Sequence, residues 1–218
     1  QRIREECEAV RDSCGVLDLP GFSRFWIQGE GADDWLRAFC TGNIPKIGRM
    51  NLIYVSDHRG RILSEFSCIR IGSDNFVLIT AASAQWHDGE MIKKALPQGI
   101  NVRETTKERN TLILTGPKSR QILSKISNAD LSLGWLTHQF TEVSGLKCFL
   151  IRVSYAGELG WEIHAENENV PQIYDSVIKE GAKPFGMYAL NSLRIEKGYR
   201  SWKGDLSSDY TMLEGGLD

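Results

Sequence analysis

Short runs of alternating apolar and polar residues, separated by turn sequences, occupy residues 52–80. The runs 52–55, 61–71 and 76–80 are separated by Asp57-His-Arg-Gly60 and Gly72-Ser-Asp-Asn75. Alternation with a period of two is typical of strands, and short turns rich in Gly, Asp and Asn join antiparallel neighbours. The pattern therefore predicts a three-stranded antiparallel meander, and the rest of the chain has to pack against such a sheet.

A unit of strand, polar turn and helix occurs three times. The units are strand 25–29 with helix 32–40, strand 111–116 with helix 117–126, and strand 161–164 with helix 170–179. The first two are too far apart in the sequence for a solenoid. We predict an α+β fold of two interlocked lobes, residues 1–108 and 109–218, each an antiparallel sheet with helices. Because no Pro/Gly/Ser-rich linker separates the lobes, we expect them to pack closely.

Three further segments have helical patterns. Residues 2–14 carry apolar side chains at helical spacing, and Gly15 is expected to end that helix. Residues 84–96 form a second helix before Pro97-Gln-Gly99. Residues 186–199 carry apolar side chains on several faces, which predicts a buried helix.

Composition excludes several classes of protein. Among 218 residues, 41% are hydrophobic and 25% charged, and the net charge is −2 with both signs interleaved. This balance argues against binding to nucleic acid or to an anionic membrane, and no apolar run is long enough to span a bilayer. The five scattered cysteines are interpreted as buried hydrophobic residues in a reducing compartment, and the four dispersed histidines predict no metal site.

Residues 154–164 contain two carboxylates that are four positions apart in the sequence. In a continuous strand Glu158 and Glu162 share a face and stand about 13 Å apart at ~3.3 Å per residue. The carboxylates of a glycosidase stand only ~5 to 9.5 Å apart, so a paired-carboxylate hydrolase is not favoured. The opposite face is expected to point into a core and carries Tyr155, Leu159, Trp161 and Ile163.

Glu65 is a carboxylate within the apolar strand 61–71. Strand alternation predicts one face with Ile62, Phe66 and Cys68, and places Glu65 on the other face with Leu63. Glu65 is therefore interpreted either as a residue that faces a cavity or as an ordinary surface glutamate.

Arg194 lies on the apolar helix 186–199, in line with Met187 and Leu190. A buried guanidinium requires a partner, because an unpaired buried charge costs several kcal/mol. The partner is either a carboxylate such as Glu196 or an oxygen-rich ligand, which the planar guanidinium fits well.

Two motifs resemble the aminomethyltransferase (glycine-cleavage T-protein) family. They are Ser154-Tyr-Ala-Gly-Glu-Leu-Gly-Trp-Glu-Ile-His164 and Asn191-Ser-Leu-Arg-Ile-Glu-Lys-Gly-Tyr-Arg-Ser-Trp-Lys-Gly-Asp-Leu206. The resemblance covers nearly the whole chain and is greatest to the folate-binding module of dimethylglycine and sarcosine dehydrogenases and oxidases. In those enzymes the module follows an FAD domain that oxidises the amine.

The resemblance implies tetrahydrofolate as the bound cofactor and assigns roles to individual residues. Glu162 matches the glutamate that holds the pterin, and Arg194 matches an arginine at the folate site. Tyr155 and Trp161 are expected to form an aromatic wall there. The T-proteins carry an Asp-Asp pair where this chain has Ser64 and Glu65, so Glu65 is the expected catalytic residue, oriented toward the folate amine.

The implied reaction captures a methylene unit from a demethylated amine and gives 5,10-methylenetetrahydrofolate. FAD would belong to a separate domain of the same polypeptide or complex, and the expected compartment is the bacterial cytoplasm or the mitochondrial matrix. The alternatives are a T-protein-like aminomethyltransferase and a non-catalytic folate-sensing or structural relative. The start at Gln1 is compatible with a fragment but does not decide it, and the resemblance implies a C-terminal β domain that is absent from these 218 residues.

Overall fold

The computed structural model describes residues 1–217, which form two compact units. Unit 1 comprises residues 1–20 and 107–199, and unit 2 comprises residues 21–106 with the segment that starts at residue 200. The first elements are α1 Arg2–Asp12, β1 Gly15–Leu19, β2 Ser23–Gln28, α2 Ala32–Phe39, β3 Met50–Ser56, β4 Ile62–Gly72, β5 Asn75–Thr80, α3 Gln85–Ala95 and β6 Asn101–Glu104. The remaining elements are β7 Arg109–Thr115, α4 Ser119–Ile126, β8 His138–Val143, β9 Leu146–Ile151, β10 Gly160–Glu166, α5 Val170–Lys179, β11 Lys183–Pro184 and α6 Met187–Glu196.

Unit 1 is built on a six-stranded sheet in the order β11-β1-β7-β10-β9-β8. All neighbours are antiparallel except β1 and β11, which are parallel. Successive residues of a strand point to opposite faces, so each face of this sheet builds a core of its own. The first core joins the sheet to α4 and α5, and the second joins it to α1 and α6. Helices therefore cover both faces of the sheet.

Unit 2 is built on a five-stranded antiparallel sheet in the order β3-β4-β5-β2-β6. Its main core lies between this sheet and the helices α2 and α3, which contribute Leu36 and Ile92. A smaller cluster joins Tyr54 and Ile62 to Leu206 of the segment after residue 200. The predicted meander is confirmed, because β3, β4 and β5 are consecutive antiparallel neighbours.

The predicted α+β class is confirmed, and all three strand–turn–helix units are present as β2–α2, β7–α4 and β10–α5. The two compact units do not follow the single division into residues 1–108 and 109–218, because each end of the chain belongs to the unit formed mainly by the other half. β1 pairs with β7, so the first residues belong with the later half. The bridge between Arg61 and Thr211 likewise joins the last segment to the earlier half.

Two helix predictions require correction. The first helix ends at Asp12, and Gly15 begins β1 instead of capping the helix. Gly15 is needed for close packing, because a Cβ there would lie 2.7 Å from the Phe185 ring. The last helix is not buried on all sides: Leu190 and Leu193 are buried, whereas Tyr188 and Ile195 are exposed.

A β-bulge changes the predicted faces of β4. Val55 pairs with Ser64 and Ser56 pairs with Ile62, so Leu63 is an extra residue on this strand. Ile62 consequently joins the cluster of Tyr54, whereas Leu63 packs against the main core of unit 2. The prediction that Ile62 shares a face with Phe66 and that Leu63 shares a face with Glu65 was therefore wrong.

The prediction that the five cysteines are buried is confirmed, and all five thiols are free. Burial raises the pKa of Cys14, Cys40 and Cys148 to about 12. In residues 1–217, no helix has the length and apolar character required to cross a membrane.

Candidate functional site

The segment between β9 and β10 forms a tight turn that leads into Glu162. Gly157 has a φ of +79°, a left-handed conformation that favours glycine. A Cβ on Gly160 would lie 2.6 Å from the Cβ of Ser154 and 3.1 Å from Thr115 Oγ1. Because Ser154 Oγ lies 3.1 Å from Thr115 Oγ1, the turn packs directly on the end of β7. These two glycines thus explain how the motif places Glu162 two residues into a central strand.

Glu162 lies on the face of the unit 1 sheet that α1 and α6 cover. Its register partner on β7 is Ile113, which belongs to that core. The side chain of Glu162 keeps 15% of its surface exposed, and its Oε2 lies 3.0 Å from Nε2 of His164. The carboxylate is therefore largely enclosed but not sealed from solvent.

His164 links Glu162 to the neighbouring strand. The imidazole is 2% exposed, and its Nδ1 lies 3.0 Å from the hydroxyl of Thr111, which is fully buried. The sequence assigned no role to His164, and its contact with Glu162 was missed. The signal was present, because residues i and i+2 of a strand share a face. The pairing of Thr111 with His164 across β7 and β10 was not recognisable from the sequence.

Trp161 lies on the opposite face of β10 from Glu162. It is fully buried in the core that α4 and α5 cover, and the guanidinium of Arg152 lies 5.2 Å from the centroid of its ring. The expected core position of this face is confirmed for Trp161 and Ile163. A ring enclosed in this way packs on the opposite face of β10 and does not line the surface that Glu162 faces.

Arg194 and Tyr155 belong to the same layer of unit 1 as Glu162. Arg194 is 8% exposed and donates from Nε to Asn191 Oδ1 and from Nη1 to the carbonyl of Tyr199, both at 2.9 Å. Tyr155 packs against the core beneath α1 and α6, and its ring stacks on Tyr199 with 6.2 Å between centroids. Tyr199 thus orients both predicted site residues.

The carboxylates near Arg194 pair elsewhere. Glu196 forms an ion pair with Arg11 of α1. Glu158 lies in the turn before β10 and not on the strand, 3.8 Å from the ammonium of Lys197. The predicted separation of about 13 Å between Glu158 and Glu162 assumed a continuous strand and does not apply.

Glu65 lies on β4 in unit 2, half-buried and opposite Tyr54 in the register with β3. Burial raises the pKa of Glu65, and a hydrogen bond from the Tyr54 hydroxyl opposes this rise only in part. Burial also raises the pKa of Tyr54, and the charge of Glu65 adds to the effect. Of the predicted residues, Glu162, Arg194 and Tyr155 therefore lie in one layer of unit 1, and Glu65 lies in unit 2.

Other possible sites are weaker. Two open depressions of about 440 and 450 Å³ lie at the α4 and β8 end of unit 1, and neither includes a predicted site residue. Within the described part of the chain, no three His, Cys, Asp or Glu side chains are grouped so that they could hold a metal ion.

The chain has the fold of part of a solved glycine-cleavage T-protein. The crystal structure of glycine cleavage system aminomethyltransferase T from Bartonella henselae superposes with a TM-score of 0.88 at 22% identity, over 96% of this chain and 58% of that one. All 218 residues match the GCVT N-terminal domain family. The chain belongs to this family, and the resemblance found in the two motifs is confirmed.

Relatives with curated names include two kinds of enzyme. The mitochondrial dimethylglycine dehydrogenase of Rattus norvegicus is 34% identical over 99% of this chain and 26% of its own length. The aminomethyltransferase of Listeria innocua is 27% identical over 99% of this chain and 61% of its own length. The chain therefore spans about a quarter of the first relative and about three fifths of the second.

Proposed function

We propose that the chain is a tetrahydrofolate-binding module for one-carbon transfer. The observation that carries the proposal is the carboxylate of Glu162, which is 15% exposed and held through one oxygen by His164. A carboxylate accepts two parallel hydrogen bonds from adjacent N–H groups, and the pterin ring presents such a pair. The donors and acceptors present on this face therefore fit a reduced folate.

In this proposal Glu162 accepts from the pterin ring, and Arg194 offers a fixed positive charge to a ligand oxygen. Asn191 and the Tyr199 carbonyl hold the guanidinium in one orientation, which reduces the entropy lost on binding. Tyr155 supplies an aromatic surface beside them. Trp161 is left out of the binding set, because its ring is enclosed in the core on the other face of β10.

Glu65 is proposed as the residue that holds or moves a proton near the folate amine. Burial raises its pKa despite the opposing hydrogen bond from Tyr54, which favours a carboxyl group that exchanges protons closer to neutral pH than an exposed glutamate does. Reduced folate, when bound, supplies the amine nitrogens that accept a one-carbon unit.

The proposed reaction transfers a methylene unit from a demethylated amine and gives 5,10-methylenetetrahydrofolate. The similarity to dimethylglycine dehydrogenase of Rattus norvegicus supports a small methylated amine as the source and an FAD domain as a partner. That relative is mitochondrial and the aminomethyltransferase relative is bacterial, so we propose the mitochondrial matrix or the bacterial cytoplasm as the compartment.

The test is an anaerobic calorimetric titration of the purified protein with tetrahydrofolate, followed by an assay with formaldehyde as the one-carbon source. We expect saturable binding and a rate of 5,10-methylenetetrahydrofolate formation above the uncatalysed condensation. Glu65→Gln should retain binding and slow the transfer. A chain that binds without accelerating transfer would be a folate-sensing relative, and the absence of binding would refute the proposal.

A second candidate is aminomethyl transfer from a lipoyl-bound group, as in a T-protein. The similarity to the aminomethyltransferase of Listeria innocua favours it. Faster transfer from an aminomethyl-lipoyl donor than from formaldehyde would select this candidate. The opposite order would favour the demethylated amine.

A further inference from the structure

A chain of three polar side chains, of which Thr111 and His164 are buried, crosses two neighbouring strands of unit 1. His164 pairs with Thr111 across β10 and β7, and Glu162 precedes His164 by two residues on the same strand. Register partners and residues two apart share a face of the sheet. Both ring nitrogens of His164 are engaged, with 3.0 Å to Thr111 Oγ1 and 3.0 Å to Glu162 Oε2.

The chemistry of the two partners determines the position of the proton on His164. An ionised carboxylate only accepts hydrogen bonds, so Nε2 must carry a proton to bond Glu162. Nδ1 of a neutral imidazole is then an acceptor, and the hydroxyl of Thr111 has a proton to donate to it. The Glu162 carboxylate therefore selects the tautomer with the proton on Nε2, and the Thr111 hydroxyl satisfies the acceptor that this tautomer leaves on Nδ1.

The imidazole has little freedom to turn away from Glu162. It is 2% exposed, and the ring of Phe149 on β9 lies 6.0 Å from it between centroids. A glutamate on a surface moves among several rotamers, whereas a carboxylate with one oxygen fixed by a rigid donor keeps one orientation. Preorganisation of this kind improves binding because less side-chain freedom is lost when the ligand arrives.

We propose that His164, whose Nδ1 is engaged by the Thr111 hydroxyl, is a positioning residue that holds the Glu162 carboxylate ready to accept hydrogen bonds from the folate ring. This inference rests on the proposed function. It goes beyond that function by assigning a role to two residues that do not touch the ligand.

The first test measures the dissociation constant of 5-formyltetrahydrofolate by calorimetry for variants of the full chain. His164→Phe keeps a ring of similar size but removes the donor, and we expect binding to weaken roughly tenfold. In His164→Gln the side-chain amide restores a donor toward Glu162 and should recover most of the affinity. Equal loss in both variants would overturn the proposal, because a merely structural role gives no rescue by the donor.

Thr111→Val removes the hydroxyl with little change of shape and should weaken binding in the same direction as His164→Phe. The matched control is Thr80→Val in unit 2, where a buried hydroxyl donates to Asp88 at 2.7 Å. We expect the control to lose stability in urea while its affinity stays at the wild-type value. Unchanged affinity in Thr111→Val would show that the hydroxyl has no part in positioning.

The second test does not involve folate. Proton–nitrogen correlation spectra near neutral pH distinguish the two neutral tautomers and the imidazolium, and His164→Gln assigns the signal among the four histidines. We expect a proton on Nε2, the nitrogen that faces Glu162. A proton on Nδ1 alone would overturn the inference, because Glu162 would then have no donor. Failure of the wild-type chain to bind reduced folate would instead overturn the proposed function and the role that depends on it.

Discussion

Replacement of Glu162 separates its part in folding from its part in binding. In Glu162→Ala, the buried imidazole of His164 loses its hydrogen bond to the Glu162 carboxylate, whose Oε2 lies 3.0 Å from Nε2 in the wild-type chain. Such bonds contribute about 1.5–3 kcal/mol, and a chain of this length changes its Tm by about 2–4 °C per kcal/mol. With a mid-range loss of about 2 kcal/mol, we expect Tm to fall by roughly 4–8 °C.

Glu162→Gln keeps a carbonyl oxygen for His164 but replaces the second acceptor with an NH₂ donor. A neutral hydrogen bond contributes about 0.5–1.5 kcal/mol, so the loss of stability should be about 1 kcal/mol. Folate binding should nevertheless weaken strongly in both variants, because a pterin donor is left without its acceptor. A loss of about 2 kcal/mol corresponds to roughly a 30-fold higher dissociation constant.

The assays are urea denaturation for stability and calorimetric titration with tetrahydrofolate for binding. The combination expected for Glu162→Gln, near-normal stability with greatly weakened binding, has no explanation in a purely structural role. Wild-type affinity in Glu162→Gln would refute the reasoning, because the carboxylate would then have no contact with the ligand.

Three further predictions concern the rest of the chain. The pKa of Glu65 is raised above its ordinary value of 4.5, so wild-type stability falls as the pH rises from 4.5 through the pKa of the folded state. Glu65→Gln has no such proton to lose, and its stability relative to wild type should increase over that pH range in urea titrations. A difference in stability that does not change with pH would contradict the shift. Gly160→Ala should lower the free energy of unfolding by about 1–3 kcal/mol in urea, because its Cβ would overlap Ser154, and an unchanged midpoint would contradict that packing. The five thiols should react with Ellman's reagent only after unfolding, since all are buried, and rapid reaction of the native chain would contradict this.

Local patterns in the sequence predicted the elements that depend on local chemistry. Alternation and turn residues gave the β3–β5 meander, and helical spacing with the preceding polar turn gave α2, α4 and α5. Predictions were poorer where the outcome depends on distant partners. The bulge at Leu63 appears only from the pairing of β4 with β3, and β11 consists of two residues that pair with the distant strand β1.

The candidate site was also predicted only in part, because some of its contacts depend on residues that are distant in the sequence. Motif likeness indicated Glu162 and Arg194, and both lie largely enclosed in unit 1. The position of Trp161 followed from strand alternation, which gives its ring to the core and not to the face of Glu162. His164 was missed as a partner of Glu162, because its role depends on a hydroxyl from another strand as well as on its spacing.

The most direct test of the account is a crystal structure of the chain with tetrahydrofolate bound. The account predicts that ring N–H and amino groups of the pterin lie about 2.7–3.2 Å from the carboxylate oxygens of Glu162, with His164 still bonded to Oε2. An ordered folate whose pterin ring lies elsewhere, with Glu162 in contact with His164 alone, would contradict it.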